Sequence, residues 1–362
     1  TPAIADPGKH FKTVLYTGSG SARNVAGVGF QPDLVWMKGR TGSSYNNILN
    51  DIVRGPRKTL FTNNTLQEYT DRGVTSFDND GFSLIGGSGS DENASNVPFV
   101  AWCWKAGGPA VSNTDGTITT QVSANQTAGF SIATWTGTGT GSQTIGHGLG
   151  KKPDFYIWKS RDQSREWHIS HKSLTGSNYT LYFSNATQVN NDKIVQTADS
   201  SLIYPSGSNT INGSGEKYVG YFWAEIEGYS KFGSFEGNDS TDGAFVYLGF
   251  KPALVIAKQV DTAYTVGGSV ATSWGMWDSS RMPNNPGGNP LWANLNNAET
   301  IRGNGSSANT GGSDGNGLGG FLMCDLLSNG FKARSAGSEF NSGGTHIYMA
   351  WAESPFKTAN AK

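Results

Sequence analysis

The sequence is short of charge, of cysteine and of long apolar runs, and each shortage closes off a class of protein. Charged residues make up 15% of the 362 positions, and the formal net charge is -1. With no clustered Lys/Arg stripe there is nothing to neutralise phosphates, so nucleic acid is not expected as a partner. No run approaches the ~18 apolar residues that a membrane span needs. The opening residues, TPAIADPGKHFK, lack the charged start and apolar centre of a secretion signal. The only cysteines, Cys103 and Cys324, have neither CxxC spacing nor a nearby histidine. Two buried thiols are the expectation, with a disulfide or metal site as the lesser reading. Helical periodicity beyond about two turns is also missing.

What fills the chain instead is Gly, Ser, Thr, Asn and aromatic side chains, with fifty glycines and 12% aromatic residues. Disorder combines low hydrophobicity with high net charge, and this chain has no net charge to speak of. The composition is that of many short strands joined by tight turns. An all-β protein is expected.

One stretch occurs three times: GFQPDLVWMK ending at Lys38, GLGKKPDFYIWK ending at Lys159 and LGFKPALVIAK ending at Lys258. Each runs from a Gly-rich bend through Pro32, Pro153 or Pro252 into an apolar run. Proline fixes φ and donates no hydrogen bond, so it suits the start of a strand. Closing strands with Trp104, Trp223 and Trp351 at one position and Val100, Val219 and Ile347 at another follow each copy. Three tandem related antiparallel β-sandwich modules of the jelly-roll or lectin-like kind are therefore expected, over residues 9–108, 128–227 and 228–356. Residues 109–127 read as a linker holding one strand. A module of roughly a hundred residues is long enough to bury its own core, so the modules need not borrow from one another. With no linker between them, the second and third should pack as a rigid pair.

Few residues invite a chemical reading. Glu225 and Glu227 would share one face of a strand, about 6.5 to 7 Å apart at Cα, near the separation of a glycosidase pair. That is the case for a secreted glycan hydrolase, kept as the alternative. His168 and His171, three apart on a strand, face opposite sides, and a core or solvated role outweighs metal binding. The turns at Asp78 to Asp80, Asp239 to Asp242 and Asp314 lack the ligand spacing of a calcium loop. No cofactor, catalytic residue or metal ligand is assigned. Strand tryptophans are read as core. Trp274, Trp277 and Trp292 lie in or beside a Pro/Asn/Gly-rich segment with Tyr264, Arg281 and Asn294, and these six are the candidate ligand-binding residues. The Gly303 to Gly320 loop is the other place where the copies differ.

The chain resembles a family of virion structural proteins of tailed phages of marine bacteria. The resemblance is carried by HFKTVLYTG, GVGFQPDLVWMKGR, VRGPRKTLFTNN, TSFDNDGFSL, VAWCWKAGG, NTDGTITTQVSANQTAGFSI, AEIEGYSKFGSFEGN and YMAWAESPF. It implies concanavalin-A-like or jelly-roll modules in a tail fibre, spike or capsid-surface appendage, located on the virion surface. It supplies no catalytic residues. A non-enzymatic protein is expected, with other virion proteins as partners, host glycans as the ligand of its loops and a homo-oligomer, such as a fibre trimer, as its assembly. A capsid decoration protein without a ligand is the third reading.

Overall fold

The computed structural model describes residues 3–42, 45–87, 90–184, 187–191, 197–205, 209–261, 265–266, 269–270, 273–285, 287–288, 290–299, 324–334 and 340–355. The chain is all-β and every sheet ladder is antiparallel. Helical structure among the described residues is limited to one turn at Asn209–Asn212 and a 3-10 turn at Pro7–Lys9.

Three large sheets carry the architecture. The first has the order Phe11–Thr17, Pro98–Trp104, Leu34–Gly39, Ile48–Asp51, Lys58–Phe61, Tyr69–Thr70. In the second, Val111–Asn113 and Thr120–Asn125 precede Phe130–Thr136, Lys217–Trp223, Phe155–Ser160 and His168–His171. The third runs Ser230–Gly237, Gly344–Pro355, Phe250–Gln259, Gly275–Asp278, Leu291–Trp292. In each, an opening strand pairs with a closing strand, which pairs with one copy of the repeated stretch. The register also recurs: Trp104 lies opposite Leu34, Trp223 opposite Phe155 and Trp351 opposite Leu254. A three-stranded sheet accompanies each, built on Arg23–Ala26, Ile145–Gly146 and Phe245–Tyr247 as edge strands.

The repeated strands begin at Leu34 and Phe155, two residues after Pro32 and Pro153. Pro252 lies inside its strand, where the register with Gly344–Pro355 slips. A bulge tolerates the missing donor there. Residues 109–127 are not a tether. They form two hydrogen-bonded strands that extend the second large sheet, Val111 opposite Val122 and Val122 opposite Ala133. Their Gly/Ser/Thr composition reflects exposure at a sheet edge rather than a break in the fold.

The near-continuous apolar runs follow from burial on both faces. Val35, Met37, Phe99, Ala101 and Cys103 face the first small sheet and pack on Val25 and Phe82. Leu34, Trp36, Trp102 and Trp104 face the other way, into one apolar cluster shared with Phe155, Ile157, Trp223, Leu254, Ile256 and Trp351. The expectation of self-contained cores is corrected here. Each large sheet donates one face to a common centre, because a sheet apolar on both sides must be covered on both.

At that centre Trp104, Trp223 and Trp351 touch pairwise, with ring centroids 5.3 to 6.1 Å apart and T-shaped interplanar angles of 66 to 76°. None of the three indole nitrogens has a hydrogen-bond partner. Edge-to-face packing offers a ring face as a weak acceptor in place of one. The void left between the three sheets is about 10 Å³, at the threshold for a single water.

Polar contacts close the ring in one rotational sense. Trp167 of the second sheet donates from Nε1 to the Phe61 carbonyl of the first at 2.8 Å, and Trp274 of the third reaches Tyr182 of the second at 3.4 Å. Asn47 of the first sheet donates to Leu295 of the third at 2.8 Å. Beside these, Glu68, Gln188 and Glu299 donate their backbone N–H to Arg161, Val260 and Arg40 at 2.7 to 2.8 Å. All three sheets, not just the second and third, are mutually locked.

Two of the three junctions also carry buried charge. Arg54 pairs with Asp51 and with Glu68, which is held in turn by Arg161 at 2.9 Å. Arg281 repeats the arrangement with Asp278 at 2.5 Å and Glu299, which is held by Arg40 at 2.6 Å. At the third junction His171 and Leu174 stand where Asp51 and Arg54 stand in the first. His171 donates from Nε2 to Tyr348 O at 3.2 Å, while its Nδ1 accepts from Ser173 N.

Candidate functional site

The Pro/Asn/Gly-rich segment proposed from composition is a junction between sheets. Trp274 and Trp277 are each 1% exposed, and Trp277 packs on Phe340 with centroids 4.3 Å apart. The Arg281 guanidinium is buried between Asp278 and Glu299 and lies 5.8 Å from the Trp102 ring. Trp292 is half-buried and Asn294 accepts the Trp274 N–H at 2.9 Å. Tyr264 and the Gly303 to Gly320 loop lie outside the described residues. The partners of this segment are other parts of the same chain, Asn47 and Thr62 on the first sheet's side and Tyr182 and Phe183 on the second's, and Trp274 and Trp277 offer no ring face to a ligand. Loop composition concealed this because short strands at a junction also use Asn and Gly.

The other expected groups fall as follows. The strand bearing Trp223 ends there, so Glu225 and Glu227 do not share a strand face. The Glu225 carboxylate is bound by Lys172 Nζ at 2.6 Å and Ile226 between them is buried. Cys103 and Cys324 are free, buried thiols. Asp78 accepts from Asn24 and Ser83, and Asp80 accepts from Gly29 N, which is turn chemistry. Among the described residues no three His, Cys, Asp or Glu side chains come together as a metal site.

The lysines that end the repeated strands are interior. Lys38 donates to the carbonyls of Tyr45 and Asn296, Lys159 to those of Ser160 and Gln163. Burial pushes the Lys38 ammonium down to about 7 and that of Lys159 to about 8. Both are 0% exposed, and Lys38 reaches across to the third sheet's side of a junction.

His168 and His171 are also buried, His168 against the Tyr182 ring and without a hydrogen-bond partner on either nitrogen. Burial pushes both down to about 3, with Lys159 adding to the effect at His168 and Lys172 at His171. Between about pH 3 and the ordinary histidine value of 6.5, the unfolded chain therefore binds protons that the folded chain does not. This stabilising contribution is complete above pH 6.5 and is lost as the pH falls toward 3, by roughly 1.4 kcal/mol per pH unit for each histidine. Denaturant titrations at pH 7.0, 5.5 and 4.5 should give a shallower loss for His168→Gln than for the unaltered chain. Equal slopes would remove the assignment.

Exposed aromatic surface is concentrated elsewhere. In Gly243-Ala-Phe-Val-Tyr-Leu-Gly249, alternation sends Val246 inward against Phe331 and leaves Phe245 47% and Tyr247 55% exposed on the outer face. Residues two apart on a strand lie about 6.5 to 7 Å apart on one face, so the two rings form a pair. Across the ladder Lys332 stands opposite Phe245 and Gly330 opposite Tyr247. A Cβ on Gly330 would run into the Val246 carbonyl and come within 3.1 Å of the Phe245 ring. Glycine is thus what lets that ring lie down on the strand.

Charge frames the pair. Lys231 Nζ donates to the Tyr247 carbonyl at 2.9 Å and sits 5.4 Å from its ring centroid, a cation–π contact that steadies the ring. Lys332 binds Asp242 at 2.6 Å, which holds that carboxyl below its usual range, and Arg334 binds Asp325 at 2.6 Å. The matching positions are Asn24 and Ala26 in the first small sheet and Thr144 and Gly146 in the second, none aromatic. The alternation Phe-Val-Tyr between two glycines is the sequence signal that marks this face.

Such a surface suits a ligand with an apolar C–H face and a polar rim. No curated protein and no solved structure matches the chain. A family model described as a domain of unknown function (DUF7483) matches residues 6–355, and the chain therefore belongs to that family.

Proposed function

We propose that the chain is a non-enzymatic surface component of a phage virion, and that the outer face of Phe245–Tyr247 binds a host-surface glycan. The sequence resemblance supports the virion setting. The observation that carries the binding reading is the pair of half-exposed rings on one strand face, since pyranose C–H faces stack on such rings while nearby charged side chains meet the hydroxyls. Other virion proteins are the proposed partners. Copies of the chain would meet through outer faces, because the three large sheets are already occupied against one another. No observation favours the hydrolase, with Glu225 paired to Lys172 at the end of its strand.

The test is a glycan array probed with the full chain, followed by adsorption of particles carrying the variants. Phe245→Ala and Tyr247→Ala should each weaken glycan binding at least tenfold while leaving the fold intact, as both rings are largely outside the core. Binding that survives the double variant would remove the platform. An array without any bound glycan would leave the ligand-free decoration reading in its place.

A further inference from the structure

A second surface feature is independent of the aromatic pair. A cleft of about 400 Å³ opens where the strands Val111–Asn113 and Thr120–Asn125 meet the Gly146 to Gly150 segment, within the ~300 to 1,000 Å³ range of small-molecule sites. Its floor depends on glycine. Gly148 and Gly150 have φ of 72° and 68°, the left-handed region, and a Cβ on Gly148 would lie 2.8 Å from Val122 Cγ1. Backbone without side chains therefore crosses the sheet face and leaves the volume open.

The chemistry of the lining narrows the ligand. Asp115, Asn113 and Gln126 supply a carboxylate and two amides, and no lysine, arginine or histidine lines the cleft. These groups are set in place: Asn113 Nδ2 donates to Asp115 Oδ2 at 2.8 Å, and Gln126 Nε2 donates to Gly148 O at 3.0 Å. An anion would meet the Asp115 carboxylate with nothing to neutralise it. Val111, at 66% the most exposed large apolar side chain among the described residues, and Pro109 form an aliphatic wall, which a compact inorganic cation would leave unused. We infer that this cleft binds a neutral pyranoside, its hydroxyls shared between Asp115 and the amides and its C–H face on Val111. The site lies in the second large sheet and needs nothing from Phe245 or Tyr247.

Saturation-transfer NMR of the full chain with methyl glucoside, methyl galactoside, methyl mannoside and N-acetylglucosamine tests it, with spermidine as a cationic control. At least one sugar should receive saturation, and its affinity should fall at least tenfold in Asp115→Ala, Gln126→Ala and Val111→Lys, all surface changes whose folding is checked by near-UV circular dichroism. Tyr247→Ala should leave it unchanged. Transfer to no sugar, transfer indifferent to the cleft variants, or transfer to spermidine alone overturns the inference. Transfer lost only in Tyr247→Ala assigns the sugar to the aromatic face and equally overturns the cleft.

Discussion

Replacing Arg54 or Arg281 by methionine is expected to cost about 3 to 5 kcal/mol each, the range for removing one member of a buried ion pair. Both guanidinium groups are fully buried, and each serves a carboxylate of its own sheet and a glutamate at the junction. Without Arg54, Asp51 keeps the Tyr221 hydroxyl at 2.7 Å but loses its cation. Without Arg281, Asp278 keeps only the weaker Trp102 indole at 3.1 Å among its donors from the first sheet. The penalty is that of a buried carboxylate left uncompensated. Glu68 and Glu299 are spared part of it, since Arg161 and Arg40 still hold them.

The molecule contains its own control. At the third junction His171 and Leu174 occupy the places of the Asp–Arg pair, with Leu174 packed against the shared core. Replacing both partners, as in Asp278→His with Arg281→Leu, should therefore cost less than Arg281→Met alone, because the carboxylate that Arg281 neutralises is removed with it and Glu299 keeps Arg40. Urea denaturation of the three chains decides this. A double variant at least as unstable as Arg281→Met would mean that the charges are needed for more than mutual neutralisation.

Trp223→Ala carries the second large effect, about 3 to 5 kcal/mol. Its ring meets Trp104 and Trp351 from the other two sheets and stacks on Phe130 and Phe155 from its own. A cavity opened there adjoins all three sheets at once, and the surrounding aromatic rings are too rigidly interlocked to close it. The loss should therefore appear as a lowered midpoint of one cooperative calorimetric transition. Separate transitions for residues 9–108, 128–227 and 228–356, with only one shifted, would contradict the shared centre.

The all-β class was legible because alternation, turn residues and low charge are local properties that act within a few residues. The repeated strand and the positions of Trp104, Trp223 and Trp351 were legible for the same reason: similar strings form similar strands. Where those strands go was not. The same apolar pattern that fills the interior of an isolated sandwich also fits a sheet whose second face is covered by its neighbours, so self-contained cores and a shared one read alike. Trp274, Trp277 and Arg281 fell on that ambiguity. Trp274 and Trp277 in a Gly- and Asn-rich setting look exposed until Phe183 and Phe340 are placed against them, whereas Phe245 and Tyr247 look like ordinary strand residues until one face of their strand is left uncovered.

Sequence by itself determined the strands, their three recurrences and the lack of any long apolar run or charged stripe, since each rests on residue type and near spacing. Tertiary structure alone decided that three sheets close around one tryptophan cluster, that two of the three junctions hold buried ions, and which aromatic rings meet solvent. Those outcomes depend on contacts between residues far apart in the chain, such as Glu68 with Arg161 and Trp104 with Trp223, and burial of a side chain is a property of what is packed on it rather than of its neighbours in the chain.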